Sequence, residues 1–176
     1  MQLKTDTTFS KDYIKEIQNN RDDYLIEPFL DPVWINTWWK NIGINEYDEI
    51  KYLIFLKNNK PKIILPLVTR KIFNLKLVEM AGGKVSDYLS PIFDKRYKFT
   101  NEDIKFINQE LFKNFKSYDL FFFRKQKNYQ NYDNPLILLD KPILGLHKSY
   151  SIELNKFDLN KSIKKILNDN KRQLKR

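Results

Sequence analysis

The sequence predicts an α/β (α+β) fold: a mixed, mainly antiparallel sheet flanked by helices. Three observations lead there. The apolar period is helical up to Gly43, alternates from Tyr52 to Met80, and is helical again after Thr100. An Asn58-Asn59 pair separates two apolar runs, and Asn tolerates the positive φ that a two-residue hairpin requires. With 176 residues, 41% hydrophobic and 15% aromatic, the chain can fill one core and is not a disordered polymer.

Each element has its own signal. Gln2–Thr5 reads as a short strand. Ser10 is a candidate cap for a helix running to about Asn20, with Tyr13, Ile14 and Ile17 on one side. Asp31 is a good N-cap and Pro32 suits the first helical position. Ile35, Trp38, Trp39 and Ile42 follow at i, i+3, i+4 and i+7, and Gly43 is expected to close that helix. Tyr52–Lys57 and Lys62–Ile72 are the hairpin strands; Pro66 inside the second argues for an edge or a bulge. Leu75–Met80 is a third strand, and AGGKVSDYLSP is a loop. Thr100 with Asp103 resembles a capping box, and Ile104, Ile107, Leu111 and Phe115 line the helix behind it. Asp119–Lys125 is expected to be a buried strand, and Lys148–Leu154 a half-buried one. From Asp158 a helix carries Leu159, Ile163, Ile166, Leu167 and Leu174 on one face, with lysines and arginines opposite.

Composition narrows the chemistry. There is no cysteine and one histidine, which excludes disulfides, thiolate catalysis and cysteine or multi-histidine metal sites. The acids show no metal-loop spacing, so no metal is expected. No apolar run approaches the ~18–20 residues of a membrane span, and no secretory leader is visible, so a cytoplasmic protein is expected. The net charge is +10, and Lys161–Arg176 supplies seven bases against one acid. That concentration makes a polyanion- or nucleic-acid-binding module the alternative function. The basic helix interleaves no aromatic residue with its charge, so nucleic acid is not the expected partner.

Few residues are candidates for chemistry. His147 is a lone base, and Ser86-Asp87 with His147 names the parts of a triad but lacks the glycine pattern of a nucleophile elbow. Gly43, Gly82, Gly83 and Gly145 form no phosphate-cradle motif, so Gly82-Gly83 reads as turn chemistry. Trp34, Trp38 and Trp39 cannot all face one core; Trp38 and Trp39 fall on the core side, and Trp34 with Trp38, at i and i+4, is the candidate rim. Asp87 and Tyr88 sit in a loop between a strand and a helix, where binding residues often lie. Arg124 either pairs with a surface acid or points into a cleft.

These segments, in this order, resemble the N-terminal half of tandem GNAT-fold proteins: CelD-like (cellulose-biosynthesis-type) acetyltransferases and FemAB-type aminoacyltransferases. The resemblance rests on PFLDPVWINTWW, YLIFLKNNKPKIILPLV with Pro66-Leu67, AGGKVSDYLSPIF, the pair DLFFFRK and HKSYSIEL, and SIKKILNDNKRQLKR. It implies a degenerate GNAT-like domain over residues 1–157, forming the acceptor side of an acyltransferase. Residues 158–176 would be a basic helix leading into a C-terminal GNAT domain that holds the acyl-CoA or aminoacyl donor, so the chain is read as ending at an inter-domain boundary. The implied activity moves an acyl group to an amine or hydroxyl of a small-molecule or glycan acceptor, in polysaccharide or envelope metabolism. Trp34, Asp87, Tyr88, Arg124, Lys171, Arg172 and Arg176 would serve the substrate. No [QR]-x-x-G-x-[GA] turn occurs, so this chain alone is expected to bind no acyl-CoA and to be inactive by itself.

Overall fold

A computed structural model describes residues 1–7, 11–127, 129 and 131–139. The chain divides into two units, Met1–Pro142 and Ile143–Arg176, and the architecture below is that of the first. Ser10, His147, the expected strand Lys148–Leu154, the expected helix from Asp158, and with it Lys171, Arg172 and Arg176, lie outside the described residues.

The elements run β1 (Gln2–Asp6), α1 (Lys11–Asn19), β2 (Tyr24–Leu25), α2 (Pro32–Trp38), α3 (Ile44–Glu46), β3 (Glu49–Lys57), β4 (Lys60–Ile72), β5 (Leu75–Met80), β6 (Ile92–Asp94), α4 (Asn101–Asn114) and β7 (Leu120–Phe122). Among the described residues they form one mixed sheet in the order β1-β3-β4-β5-β7. All ladders are antiparallel except β5–β7, which is parallel and is reached through α4. β6 joins β4 at Ile63 and Ile64 and carries β2 on its other side. Helices cover both faces. Tyr13 of α1 and Tyr47 after α3 lie under Lys4 and Arg70 on one face, whereas Phe106 of α4 meets Phe55 on the other.

The local signals act as expected in three places. Asn58 and Asn59 have φ of 52° and 58° and close β3 onto β4. Asp31 accepts from the Val33 N–H at 3.0 Å. Thr100 and Asp103 form a complete capping box, and Ile104, Ile107, Leu111 and Phe115 are buried behind it.

Three expectations are corrected. Gly43 does not end its helix. The chain passes from α2 through a π-helical turn, Trp39–Gly43, directly into α3. A Cβ on Gly43 would lie 2.5 Å from Trp39 Cε3 and 3.0 Å from Trp38 Cζ3, so glycine is there to admit two indoles. Pro66 is not at an edge, since β4 is central. Its carbonyl accepts from Ala81 N–H at 2.8 Å, so its own nitrogen points to that same side. There β4 changes partner, from β6 at Ile64 to β5 at Leu67, and no ladder donor is needed. The bulge falls instead between Phe55 and Leu56, leaving Lys62 out of the ladder and paired with Asp94 at 2.8 Å. Finally, Asp119–Lys125 does not form a buried strand. β7 is three residues long, pairs only with β5 among the described strands, and turns Phe121 toward Phe112 and Phe115, while Leu120 and Phe122 stay 45% and 42% exposed.

Candidate functional site

The C-terminal ends of β5 and β7 lie side by side, because the two strands are parallel. The segments that follow β5 and β7 meet there. Behind β5, Gly82 and Gly83 have φ of 111° and 57°, which reverses the chain. A Cβ on Gly83 would be 3.0 Å from Tyr47 Oη and 3.3 Å from Trp38 Cζ2, so this turn rests on the α2–α3 region. Ser86 is buried, and its hydroxyl donates to the Gly82 carbonyl at 3.0 Å. That hydroxyl is a brace for the turn and not an open nucleophile.

The segment behind β7 is stitched onto the same loop. Leu89 N–H donates to the Lys125 carbonyl, Gln126 Nε2 donates to the Leu89 carbonyl at 2.7 Å, and Lys127 N–H donates to Ser90 Oγ at 3.0 Å. Lys125 Nζ donates to the Ser86 carbonyl. Buried Asn134 ties the segment to itself through Gln126 Oε1 and the Lys127 carbonyl, both at 3.1 Å. Buried polar groups that are all paired hold a single geometry.

These braces position a cation between two rings and a carboxylate. Lys127 Nζ sits 5.1 Å from the Tyr88 ring centre and 5.2 Å from that of Tyr129. It is also 3.2 Å from Glu27 Oε1, and Tyr129 Oη donates to that same oxygen at 2.9 Å. Glu27 is buried, and its charge is met by this ammonium and hydroxyl. Burial raises the Tyr129 pKa far above the ordinary phenol value; the Ser90 hydrogen bond opposes this and Glu27 adds to it. Tyr129 is therefore a neutral hydroxyl donor at any physiological pH. Two residues beyond Glu27, Phe29 meets Trp34 edge-on at 5.4 Å, and Trp34 stacks on Trp38 at 6.4 Å and 7°.

A second charge cluster sits on the neighbouring strands. Glu79 on β5 is 3% exposed. Its Oε2 is 2.5 Å from Arg70 Nε and its Oε1 is 3.0 Å from Arg124 Nη2. The Arg70 guanidinium lies over the Tyr47 ring, and that of Arg124 over Phe122. Arg124 thus pairs with a buried acid, where a surface acid or a cleft was expected. Of the other expected residues, Trp34 and Tyr88 are half-buried and Asp87 is exposed. Tyr88 joins the Lys127 cluster and Arg124 joins the Glu79 cluster.

Glu27, Lys127, Tyr129, Glu79 and Arg70 escaped the reading of the sequence. Glu79 left one legible signal: a lone acid in LKLVEM, on a strand whose neighbours are apolar. The Glu27–Tyr129 contact spans 102 positions and leaves none. Among the described residues no group of three metal-ligating side chains occurs, and no helix is long and apolar enough to cross a membrane. No family model, curated protein or solved structure matches the chain.

Proposed function

We propose that residues 1–157 are the acceptor side of a GNAT-type acyltransferase, moving an acyl group from an acyl-CoA-type donor to an amine or hydroxyl. The observation that carries this reading is the Tyr88–Lys127–Tyr129–Glu27 cluster, half open beside exposed Asp87 at the end of two parallel strands. Aromatic faces with a few fixed polar groups suit a hydroxylated or amino-bearing acceptor such as a glycan unit. Lys127 and Tyr129 fix the Glu27 carboxylate, and Phe29, two residues further on, packs edge-on against Trp34. Their contribution to rate is orientation of the acceptor. The mainly antiparallel sheet with helices on both faces agrees with the same reading.

The donor belongs, in this reading, to a C-terminal GNAT domain. Among the described residues the Gly82-Gly83 turn offers this donor no phosphate cradle. The double-glycine turn is filled by its own neighbours: a Cβ on Gly82 would lie 2.5 Å from Ser86 Oγ and 2.9 Å from Leu89 Cδ2. Backbone N–H groups closed in this way cannot converge on a pyrophosphate. The absence of cysteine supports a cytoplasmic setting.

The test is acetyl transfer from acetyl-CoA to amino sugars by the complete reading frame. Asp87→Ala and Tyr88→Ala are expected to lower turnover roughly tenfold or more, at unchanged melting temperature, because positioning contacts act mainly on rate. Activity loss that merely follows unfolding, or tight acetyl-CoA binding by residues 1–176 alone in calorimetry, overturns the reading.

A further inference from the structure

The opposite end of the same strands carries a second surface. Beyond the last β3–β4 pair, Glu49 with Thr69, the β4–β5 hairpin runs on through Arg70–Leu77, Lys71–Lys76 and Ile72–Leu75. β7 flanks it only from Leu77 onward. The finger Lys71–Lys76, with sequence KIFNLK, therefore projects from the sheet.

Its tip has two costs at one residue. Phe73 adopts φ of 54°, a turn position that favours glycine. It is also 93% exposed. The Asn58-Asn59 hairpin in the same sheet shows the ordinary solution, with polar residues at positive φ. Ile72 and Leu75, directly opposite each other, are exposed as well, and exposed Leu120 begins β7 beside Leu77. Lys71 faces Lys76 across the ladder, a like-charge pair that disfavours the hairpin in water. Acids border the finger at its base. Asp119 accepts from the Lys76 N–H at 2.8 Å through its carboxylate. Asp48 and Glu49 sit at the Thr69 level, three residues back from Ile72, or ~10 Å along the strand.

An exposed aromatic at positive φ, two flanking aliphatics and a pair of facing lysines complement one surface in particular. We propose that the Lys71–Lys76 finger docks on an anionic lipid bilayer. Phe73, Ile72 and Leu75 enter the boundary between headgroups and acyl chains, and Lys71 and Lys76 remain among the anionic headgroups. Apolar contact and attraction of basic residues to the negative leaflet act together in such docking. The finger leaves the sheet at the start of β5, whereas Tyr88 and Lys127 lie past its end, so docking leaves the candidate site uncovered. The inference is independent of the acyl-transfer reading.

The test is cosedimentation of the full 176-residue chain with phosphatidylcholine vesicles, with and without phosphatidylserine. The deciding variant is Phe73→Gly. Glycine suits the positive φ, so the variant folds at least as well, and it leaves the net charge and the basic C-terminal segment unchanged. The wild type is expected to bind serine-containing vesicles and Phe73→Gly to bind them roughly tenfold more weakly, the scale of one lost aromatic contact. Lys71→Gln with Lys76→Gln is expected to weaken the response to phosphatidylserine and leave contact with phosphatidylcholine unchanged. Equal binding by wild type and Phe73→Gly overturns the proposal, as does no binding by either. Self-association of the wild type that Phe73→Gly abolishes, without vesicle binding, overturns it in favour of a second copy on this surface.

Discussion

A carboxylate buried as deeply as Glu79 must be met by charge, and Arg70 and Arg124 take one oxygen each. Removing it would leave two guanidinium groups facing each other. Glu79→Ala is expected to destabilise the fold by about 3–5 kcal/mol in urea unfolding, and Arg70→Ala more than Arg124→Ala, because Arg70 is the more buried partner. Titration gives a second expectation. Burial opposes ionisation of Asp94, but hydrogen bonds from Lys62 and the Arg96 N–H outweigh it and hold the carboxyl below its ordinary 3.8. Asp103 is likewise lowered, against burial, by Tyr97 and Thr100. A lowered folded value stabilises at pH above the unfolded one, and that stability is lost as pH falls through the folded value. Melting temperature should therefore drop as pH falls below about 3.8, and Asp94→Asn should flatten that acid limb. Burial moves Tyr24 the other way, up to about 12, with Glu16 and Asp94 adding to it. Its stabilisation is complete below about 10 and disappears as pH rises through about 12, so ultraviolet titration should find this phenol ionising late, together with unfolding.

At the scale of one element, the turn between α2 and α3 is set by ring volume. Gly43→Ala places a methyl 2.5 Å from Trp39 Cε3, and the indoles must shift. The expected cost is about 1–3 kcal/mol, with a change in tryptophan fluorescence that marks the site. The α4 N-terminus depends on local chemistry alone. Thr100→Ala removes the acceptor for the Asp103 N–H and should cost about 1 kcal/mol, and Thr100→Ser should restore most of it. A neutral Gly43→Ala would mean that the π-helical turn is not packed as described.

For the molecule as a whole, stability should be graded across the sheet. β3 and β4 are the central pair, and Leu53, Ile54, Phe55, Ile63, Ile64 and Leu65 are fully buried between two helical layers. β7 is short and half exposed, and among the described strands it is joined by the parallel ladder to β5 alone. Native-state hydrogen exchange is expected to be slowest at the amides of Leu53–Phe55 and Ile63–Leu65 and clearly faster at Leu120–Phe122. Uniform protection across both would show that β7 opens only with the entire sheet.

What can be read from the chain and what cannot divides by the range of the interactions. The Asn58-Asn59 hairpin, the Asp31 cap, the Thr100 capping box and the first turns of the α4 apolar face depend on residues within a few positions of each other, so they are legible in the sequence. The mixed, mainly antiparallel class is legible too, since periods of two and of 3.6 commit segments to strand or helix. The placement of those segments is set by packing. A period names the apolar face of an element but not the neighbour that face will meet. Pro66 is accommodated at the centre because β4 changes partner beside it, and in β7 Phe121 packs on α4 while Leu120 and Phe122 stay half exposed, with β5 the one strand partner among the described residues. Glu79 finds Arg124 across 45 positions and Glu27 finds Tyr129 across 102. Such pairs are fixed by register and packing throughout the sheet, which no local pattern encodes.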